Sequence, residues 1–275
     1  MSDSMQFNIK EADVSLRLEK PDDYRAVEVL TREAFWNTGG YRELVFEHYI
    51  VHKMRTAPAF IPELAVVAEI NGVIVGNVMF TKAEIINSSG AKTEVLKLGP
   101  LSVLPEYQGF GVGRALLTHS LAEAKRFGYR AVLLLGHPDY YPRFGFCPAA
   151  QVGIVTESGG SFDGFMAMEL YKGALDGAGG RFIQSPVFGV DIAEAVEYDK
   201  NFSAKEKAVP IPISVLLEKL DKTSAEAIAS LGIKYLDELR SKSEREIIVL
   251  SGGDGNVLEI VRKVIRNHGF SWGKL

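Results

Sequence analysis

Cysteine is nearly missing from this 275-residue chain, in which Cys147 stands alone. With no second thiol an internal disulfide is excluded, which agrees with a reducing compartment. A nucleophilic cysteine needs an activating base, and none lies near Cys147 in sequence, so it reads as a small buried hydrophobe. Long apolar runs are also missing. Nothing approaches the roughly 20 residues that cross a bilayer, and Met1–Lys10 has no hydrophobic targeting core. The expectation is a cytoplasmic protein with no membrane partner. Nor is positive charge in excess, at 31 Lys and Arg against 35 Asp and Glu, a formal net charge of -4. Without a strong positive field to displace counterions, general nucleic-acid binding is excluded and only a local basic groove stays open. His48 and His52 have helical i, i+4 spacing, but Glu47 precedes His48, whereas the zinc-protease pattern puts glutamate after the first histidine. No metal is expected. Internal repeats, coiled-coil heptads and extended low-complexity tracts are absent as well.

What the chain does have is LGPLSVLPEYQGFGVGRALLTHSLAEAKRFG, from Leu98 to Gly128, a strand running through a glycine-rich turn into an amphipathic helix. Gln108, Gly111 and Gly113 fit Q-x-x-G-x-G, and glycine serves where backbone N–H groups must approach a ligand without a Cβ in the way. Val112, Leu116, Leu117, Leu121 and Ala124 form one apolar stripe, and the helix start leaves N–H groups free for phosphate. Two other nucleotide readings fail. A dinucleotide fingerprint drawn through Gly109, Gly111 and Arg114 lacks the final small residue and the acidic residue about 20 positions on. A Walker-type loop needs G-K-S or G-K-T, and Gly113 is followed by Arg114 and Ala115.

The segment resembles the cofactor-binding motif of the GNAT superfamily of N-acetyltransferases, and its surroundings extend the likeness. Pro105 ends the preceding strand, Ala131–Leu135 is an apolar run suited to a buried parallel strand, and HPDYYPRFGF (His137–Phe146) matches the family's Y-x-x-x-G-F element through Tyr141 and Gly145. TREAF (Thr31–Phe35), FIPELAVVAE (Phe60–Glu69) and FMAMELYKGAL (Phe165–Leu175) resemble the YhbS-like branch in particular. The resemblance covers about the first two thirds of the chain and implies a mixed-sheet α/β (α+β) fold, with acetyl-CoA as cosubstrate. It implies that Leu101, Ser102 and Val103 offer backbone groups to the pantetheine arm, and that Gln108, Gly109, Phe110, Gly111, Val112, Gly113 and Arg114 hold the pyrophosphate. Tyr141 would protonate the departing thiolate, with Tyr140 its local competitor, and His137 is a candidate base through its near-neutral pKa. Glu69, Glu94 and Glu169 are weaker candidates, because strand glutamates are usually solvated. The base stays unassigned. The reaction implied is direct attack of an amine on acetyl-CoA in a ternary complex, and the competing reading is a catalytically silent acyl-CoA-binding or interaction protein on the same fold.

Val14–Leu18 reads as a first strand, Pro21–Phe35 as a first helix, and Ala65–Ile70 with Val73–Phe80 as a hairpin turning at Asn71-Gly72. Tyr41–Met54 reads as a helix beside the substrate entrance, where Tyr41, Glu47 or His48 is placed to select the acceptor. Residues 1–172 form the expected acetyltransferase domain. GALDGAGGRF and VPIPIS make 173–212 a connecting arm, and 213–275 a small α/β module. In that module Ser214–Leu220, Ser224–Arg240 and Val257–Asn267 read as helices and Ile247–Leu250 as a strand. Its SGGDGN segment resembles a nucleotide-binding element of the NAD-kinase and diacylglycerol-kinase families, but Asn256 replaces the usual threonine and the module is too short for a kinase. A strand-to-helix turn capped by Asp254 or Asn256 is the simpler reading. The acceptor is a small-molecule or peptide amine, with polyamines, aminoglycosides, amino acids and peptide N-termini all open, and a homodimer is possible.

Overall fold

The computed structural model describes residues 5–9, 12–36, 45–205, 211–242 and 244–267. They fall into two units. The first takes the chain to Phe35 and again up to Ala204, and the second takes Trp36 and the chain from Lys205 onward.

In the first unit β1 (Met5–Ile9) and β2 (Ala12–Leu18) pair antiparallel, followed by α1 (Tyr24–Phe35) and α2 (Glu47–Met54). The strands β3 (Val66–Ile70), β4 (Val73–Ile86) and β5 (Lys92–Val103) form an antiparallel meander. Asn71 (φ 51) and Gly72 (φ 79) turn its first hairpin in the left-handed conformation that an Asn-Gly pair adopts readily. The helix α3 (Val112–Arg126) returns the chain to β6 (Ala131–Leu135), which lies parallel to β5. Then come β7 (Cys147–Pro148), β8 (Ile154–Val155), β9 (Phe165–Glu169), β10 (Gly180–Ile183) and α4 (Ile192–Asp199). The sheet order is β1-β2-β3-β4-β5-β6-β9-β7, with β10 pairing β4 and β8.

One face of this sheet is covered by α3, whose stripe of Val112, Leu116, Leu117, Leu121 and Ala124 is buried as its periodicity requires. Each such leucine contributes about 1.5–3 kcal/mol of burial. Gly76 lets the helix start come close, since a Cβ there would lie 2.9 Å from Leu116 and 3.0 Å from Val112. On the other face Val27, Val51 and Met54 pack with Val67, Met79 and Val187. Here α4 is held to the two first helices by Asp199, whose carboxylate lies 2.6 Å from Arg32 and 3.0 Å from His48.

The segment expected as a connecting arm is largely part of this unit. Arg181, Phe182 and Ile183 pair with Ile86, Ile85 and Glu84, and Arg32 reaches Asp199 from α1. The glycines that suggested a linker serve turns at Gly173 (φ 78) and Gly177 (φ 70), and a close strand approach at Gly180. Val209 and Pro210 of the VPIPIS connector lie outside the described residues, as does Tyr41. The helix expected from Tyr41 is described from Glu47.

The second unit contains α5 (Ser214–Leu217), α6 (Lys222–Ala229), α7 (Glu244–Leu250) and α8 (Gly255–Asn267) around Leu216, Ile228, Leu239, Ile247, Val261 and Val264. Trp36 is buried, with the Lys205 ammonium 5.4 Å from its ring centroid. This unit corrects the expected α/β module. Ile247–Leu250 is the end of a helix and not a strand, because a four-residue apolar run carries no period of its own and packing against α8 decides. Arg262 of α8 fixes that packing by gripping Glu244 of α7. The long helix expected over Ser224–Arg240 is broken where Gly232 turns left-handed (φ 68), and Leu236–Ser241 is a 3-10 helix. In SGGDGN, the Asn256 N–H donates to Asp254 Oδ1 at 2.8 Å, so Asp254 caps α8. Among the described residues no helix is long and apolar enough to cross a membrane.

Membership of β10 in the first unit is testable. A Cβ at Gly180 would lie 2.2 Å from the Ile86 carbonyl oxygen, which is backbone and cannot step aside. Gly180→Ala is expected to lower stability by about 1–3 kcal/mol in urea unfolding; an unchanged midpoint would make residues 173–204 an independent arm.

Candidate active site

Two strands part company at the centre of the sheet. The parallel ladder between β5 and β6 holds at Leu96↔Val132 and Lys97↔Leu133, and no pair follows although β5 runs on to Val103. Gly99 and Pro100 explain why. Gly99 has φ 130 and Pro100 has no N–H, and the two residues together oppose Met79 of β4 in a bulge between Val78↔Leu101 and Phe80↔Leu98. Leu101, Ser102 and Val103 remain bonded to β4, opposite Val78, Asn77 and Gly76, while their other edge faces the gap.

At the end of β5 the chain turns through Pro105–Tyr107 into the glycine loop. Gln108 is half-buried, and its Nε2 donates to the Val103 carbonyl at 2.9 Å, which ties the loop to the strand. Gly109 (φ 83) and Gly111 (φ 98) occupy the left-handed region, where a side chain would be strained. The first bond of α3 runs from the Ala115 N–H to the Gly111 carbonyl at 2.9 Å, so the N–H groups of Val112, Gly113 and Arg114 precede any helical acceptor. Gly111, at the N-cap, provides no side-chain cap. These donors, the positive end of the helix dipole and the exposed Arg114 together suit an anion. Phe110 of the same loop is exposed.

The other strand of the gap, β6, runs on into the turn that carries Tyr140 and Tyr141. Tyr141 is buried against Gly136, where a Cβ would lie 2.2 Å from its ring, and it meets Tyr140 edge-on at 5.0 Å between centroids. Burial pushes the Tyr140 phenol up to about 12, while Arg143 and Arg114 pull the other way. Burial, then the Tyr140 neighbour, pushes Tyr141 up further. His137 accepts the Asp139 N–H at Nδ1 (3.3 Å), a bond that shapes the turn.

The strand glutamates have other partners. Glu69 is bonded to Arg17, Glu169 accepts the N–H groups of Gly173 and Leu175 at 3.2 and 2.7 Å, and Glu94 is exposed 3.6 Å from Lys82. His48 is fully buried, edge-on to Phe202 at 4.8 Å, and burial lowers it to about 4, so it is neutral near pH 7. His52 lies 3.1 Å from Glu28, so the two histidines face different carboxylates. Cys147 is half-buried, not fully buried as expected; its thiol donates to the Ala167 carbonyl at 3.7 Å, and partial burial raises its pKa.

Sequence reasoning passed over a polar set on the sheet face opposite α3. Thr31 Oγ1 donates to Asn77 Oδ1 and accepts from Ser102 Oγ, both at 3.3 Å, and further along the face lie Thr81 and Lys97, all buried. The signal available was a lysine inside the apolar run Val95–Leu101.

Residues 23–146 match the Acetyltransferase (GNAT) family profile. The chain is 30% identical over 165 residues to the uncharacterized N-acetyltransferase YhbS of Escherichia coli (strain K12), spanning 60% of this chain and 92% of that protein. It is 39% identical over 89 residues to the uncharacterized N-acetyltransferase YjhQ of the same strain, covering 32% of this chain and 49%, about half, of that relative. Solved structures are similar as well, among them two with a bound coenzyme. The Escherichia coli YhbS crystal structure in complex with CoA gives a TM-score of 0.58 at 28% identity, covering 67% of this chain and 96% of that one. A GNAT family acetyltransferase from Brucella melitensis in complex with acetyl-CoA gives 0.51 at 30% identity, covering 64% and 97%.

Gly111→Asp tests the anion site, because it puts a carboxylate where a pyrophosphate would lie. Its acetyl-CoA affinity by calorimetry is expected to fall more than about tenfold, a like-charge penalty of at least roughly 1.4 kcal/mol. Circular dichroism melting reads the backbone strain separately, and unchanged affinity would remove the loop from cofactor binding.

Proposed function

Because the chain belongs to the GNAT acetyltransferase family, we propose that it transfers the acetyl group of acetyl-CoA to a primary amine by direct attack within a ternary complex. The observation that carries this reading is the opening of the β5–β6 ladder beside the uncapped first turn of α3. One end of that arrangement suits a pyrophosphate and the other a thioester. The N–H groups of Gly111, Val112, Gly113 and Arg114 take the pyrophosphate, with Gln108 and Gly109 shaping the loop and Phe110 flanking it. The pantetheine arm then follows the open edge of Leu101, Ser102 and Val103 and delivers the thioester into the gap. The relatives crystallised with CoA and with acetyl-CoA support this choice of cosubstrate.

Attack on the thioester carbonyl forms a tetrahedral intermediate whose oxygen becomes negative. A backbone N–H on the open edge of β5 is positioned to stabilise it without reorganising. Collapse breaks the C–S bond, and Tyr141 supplies the proton that the sulfur needs. A phenol held well above its ordinary pKa keeps that proton through neutral pH, so it is present as a donor when the thiolate forms. Tyr140 shares that turn and is the alternative donor.

The test is CoA release over an amine panel of spermidine, kanamycin, free amino acids and an alanyl peptide. Turnover with one of them is expected, and tight acetyl-CoA binding with no transfer to any would support a silent acyl-CoA-binding protein. Tyr141→Phe is expected to lower kcat by about 100-fold or more while acetyl-CoA binding is retained; unchanged turnover would move the acid role to Tyr140.

A further inference from the structure

We propose that Lys97 is the base that takes the proton from the acceptor ammonium, an assignment that rests on the acetyl-transfer reading above. Lys97↔Leu133 is the last pair of the β5–β6 ladder, so this lysine stands at the vertex from which the gap opens. Leu96 and Leu98, its neighbours, belong to the core under α3, and strand alternation sends Lys97 to the opposite face, beside its cross-strand partner Thr81. A donor thioester in the gap and an amine approaching from that face would meet next to Lys97.

Lys97 is 6% exposed, and its Nζ donates to the Leu98 carbonyl at 2.9 Å. The ring of Phe188, half-buried, lies 5.3 Å from Nζ. No carboxylate pairs with it among the described residues. An ammonium carries three donors, and a buried cation without a counter-ion is costly. Charged groups nearby are committed elsewhere. Lys82 of β4 is on the other face with Glu94, Glu28 and Arg32 of α1 engage Arg55 and Asp199, and β6 has no ionisable side chain. Burial is accordingly the one cause that lowers the lysine, to about 7. Near neutral pH a large fraction of it therefore carries a lone pair.

Glu69 and Glu169 are bonded elsewhere, Glu94 is exposed beside Lys82 and His137 Nδ1 accepts a turn N–H, while the face that carries Lys97 holds unused polar groups. Thr81 Oγ1 and Asn77 Nδ2 are buried without a partner among the described residues, which suits a site that receives a polar acceptor.

The acceptor R–NH3+ gives one proton to the neutral Lys97 amine, and the freed nitrogen forms the N–C bond to the acetyl carbon. When the C–S bond breaks, the sulfur takes a proton from Tyr141, and the second proton of the attacking nitrogen restores that phenol. Lys97 then returns its proton to solvent. The products are the acetamide, CoA thiol and one proton.

The experiment pairs an activity-independent measurement with two variants. In the full-length protein labelled with 13C-lysine, the Lys97 Cε resonance, assigned by its loss in Lys97→Met, is expected to titrate near 7 (the value burial sets). A titration near the ordinary ~10.4 overturns the proposal whatever the acceptor. With the panel amine that turns over fastest, kcat/KM of the parent is expected to rise with pH to a plateau through that same inflection. Lys97→Met is an apolar near-isostere that removes a buried cation, so it is expected to fold. It should keep acetyl-CoA affinity, lose about 100-fold or more in kcat and lose the inflection. Lys97→Arg, which cannot deprotonate, should match that loss. A Lys97→Met enzyme that keeps kcat and the inflection, or that only raises KM, overturns the base assignment alone. Mass spectrometry that finds Lys97 itself acetylated by acetyl-CoA also overturns it, since the lysine would then be a nucleophile. Failure of the parent to acetylate any panel amine overturns the transfer reading, and the base role with it.

Discussion

The interaction on which the site depends is one that the sheet does not make. Beyond Lys97 and Leu133 two parallel strands stop bonding, and interior strands rarely give up backbone bonds without a replacement. Gly99 and Pro100 cause the break, and β4 keeps the other edge of β5 in register, so the opening is local and held. The loop and helix that follow are fixed to the same strand from both sides. Gln108 reaches back to the Val103 carbonyl, and Gly76, opposite Val103, admits the start of α3 at a distance no other residue allows. A cofactor that bonded to the loose edge and the helix start would satisfy both at once.

Around that opening the polar groups divide by face. The buried α3 side is largely apolar, with Ser120 of α3 its polar exception, whereas the α1 side holds Thr31, Asn77, Thr81, Lys97 and Ser102 in a buried row. Buried polar atoms with spare bonding capacity are a standing cost to the fold, and such costs concentrate where chemistry needs them. The packing nearby compensates. Asp199 pairs with Arg32 and lies 3.0 Å from the neutral His48, and Arg55 joins Glu19 to Glu28, so the helices over this face are cross-linked by polar contacts that add geometry more than stability.

Much of this was legible in the residues because the signals were local. Asn71-Gly72 specifies its turn, the stripe of α3 has the helical period, and the glycines at 109 and 111 announce backbone that side chains cannot follow. Signals that depend on remote partners were lost. Gly180 looks like linker until Ile86 lies beside it, Ile247–Leu250 looks like a strand until α8 packs on α7, and Lys97 looks like a solvated residue until both faces of the sheet are covered. The strand glutamates erred the other way. Glu69 and Glu169 have the right chemistry for proton transfer, yet Arg17 and two backbone N–H groups had already taken them.

Trp36 carries a final consequence. This indole lies between α1 and α2 in the chain, in the middle of the first unit's sequence, yet it belongs to the second unit, with the Lys205 ammonium over its ring. The helical bundle is therefore threaded into its neighbour's covalent path and is not a tail added at the end. Cutting the gene after Ala204 would remove Lys205 and the rest of the unit to which Trp36 belongs, while leaving that indole behind in the shortened chain.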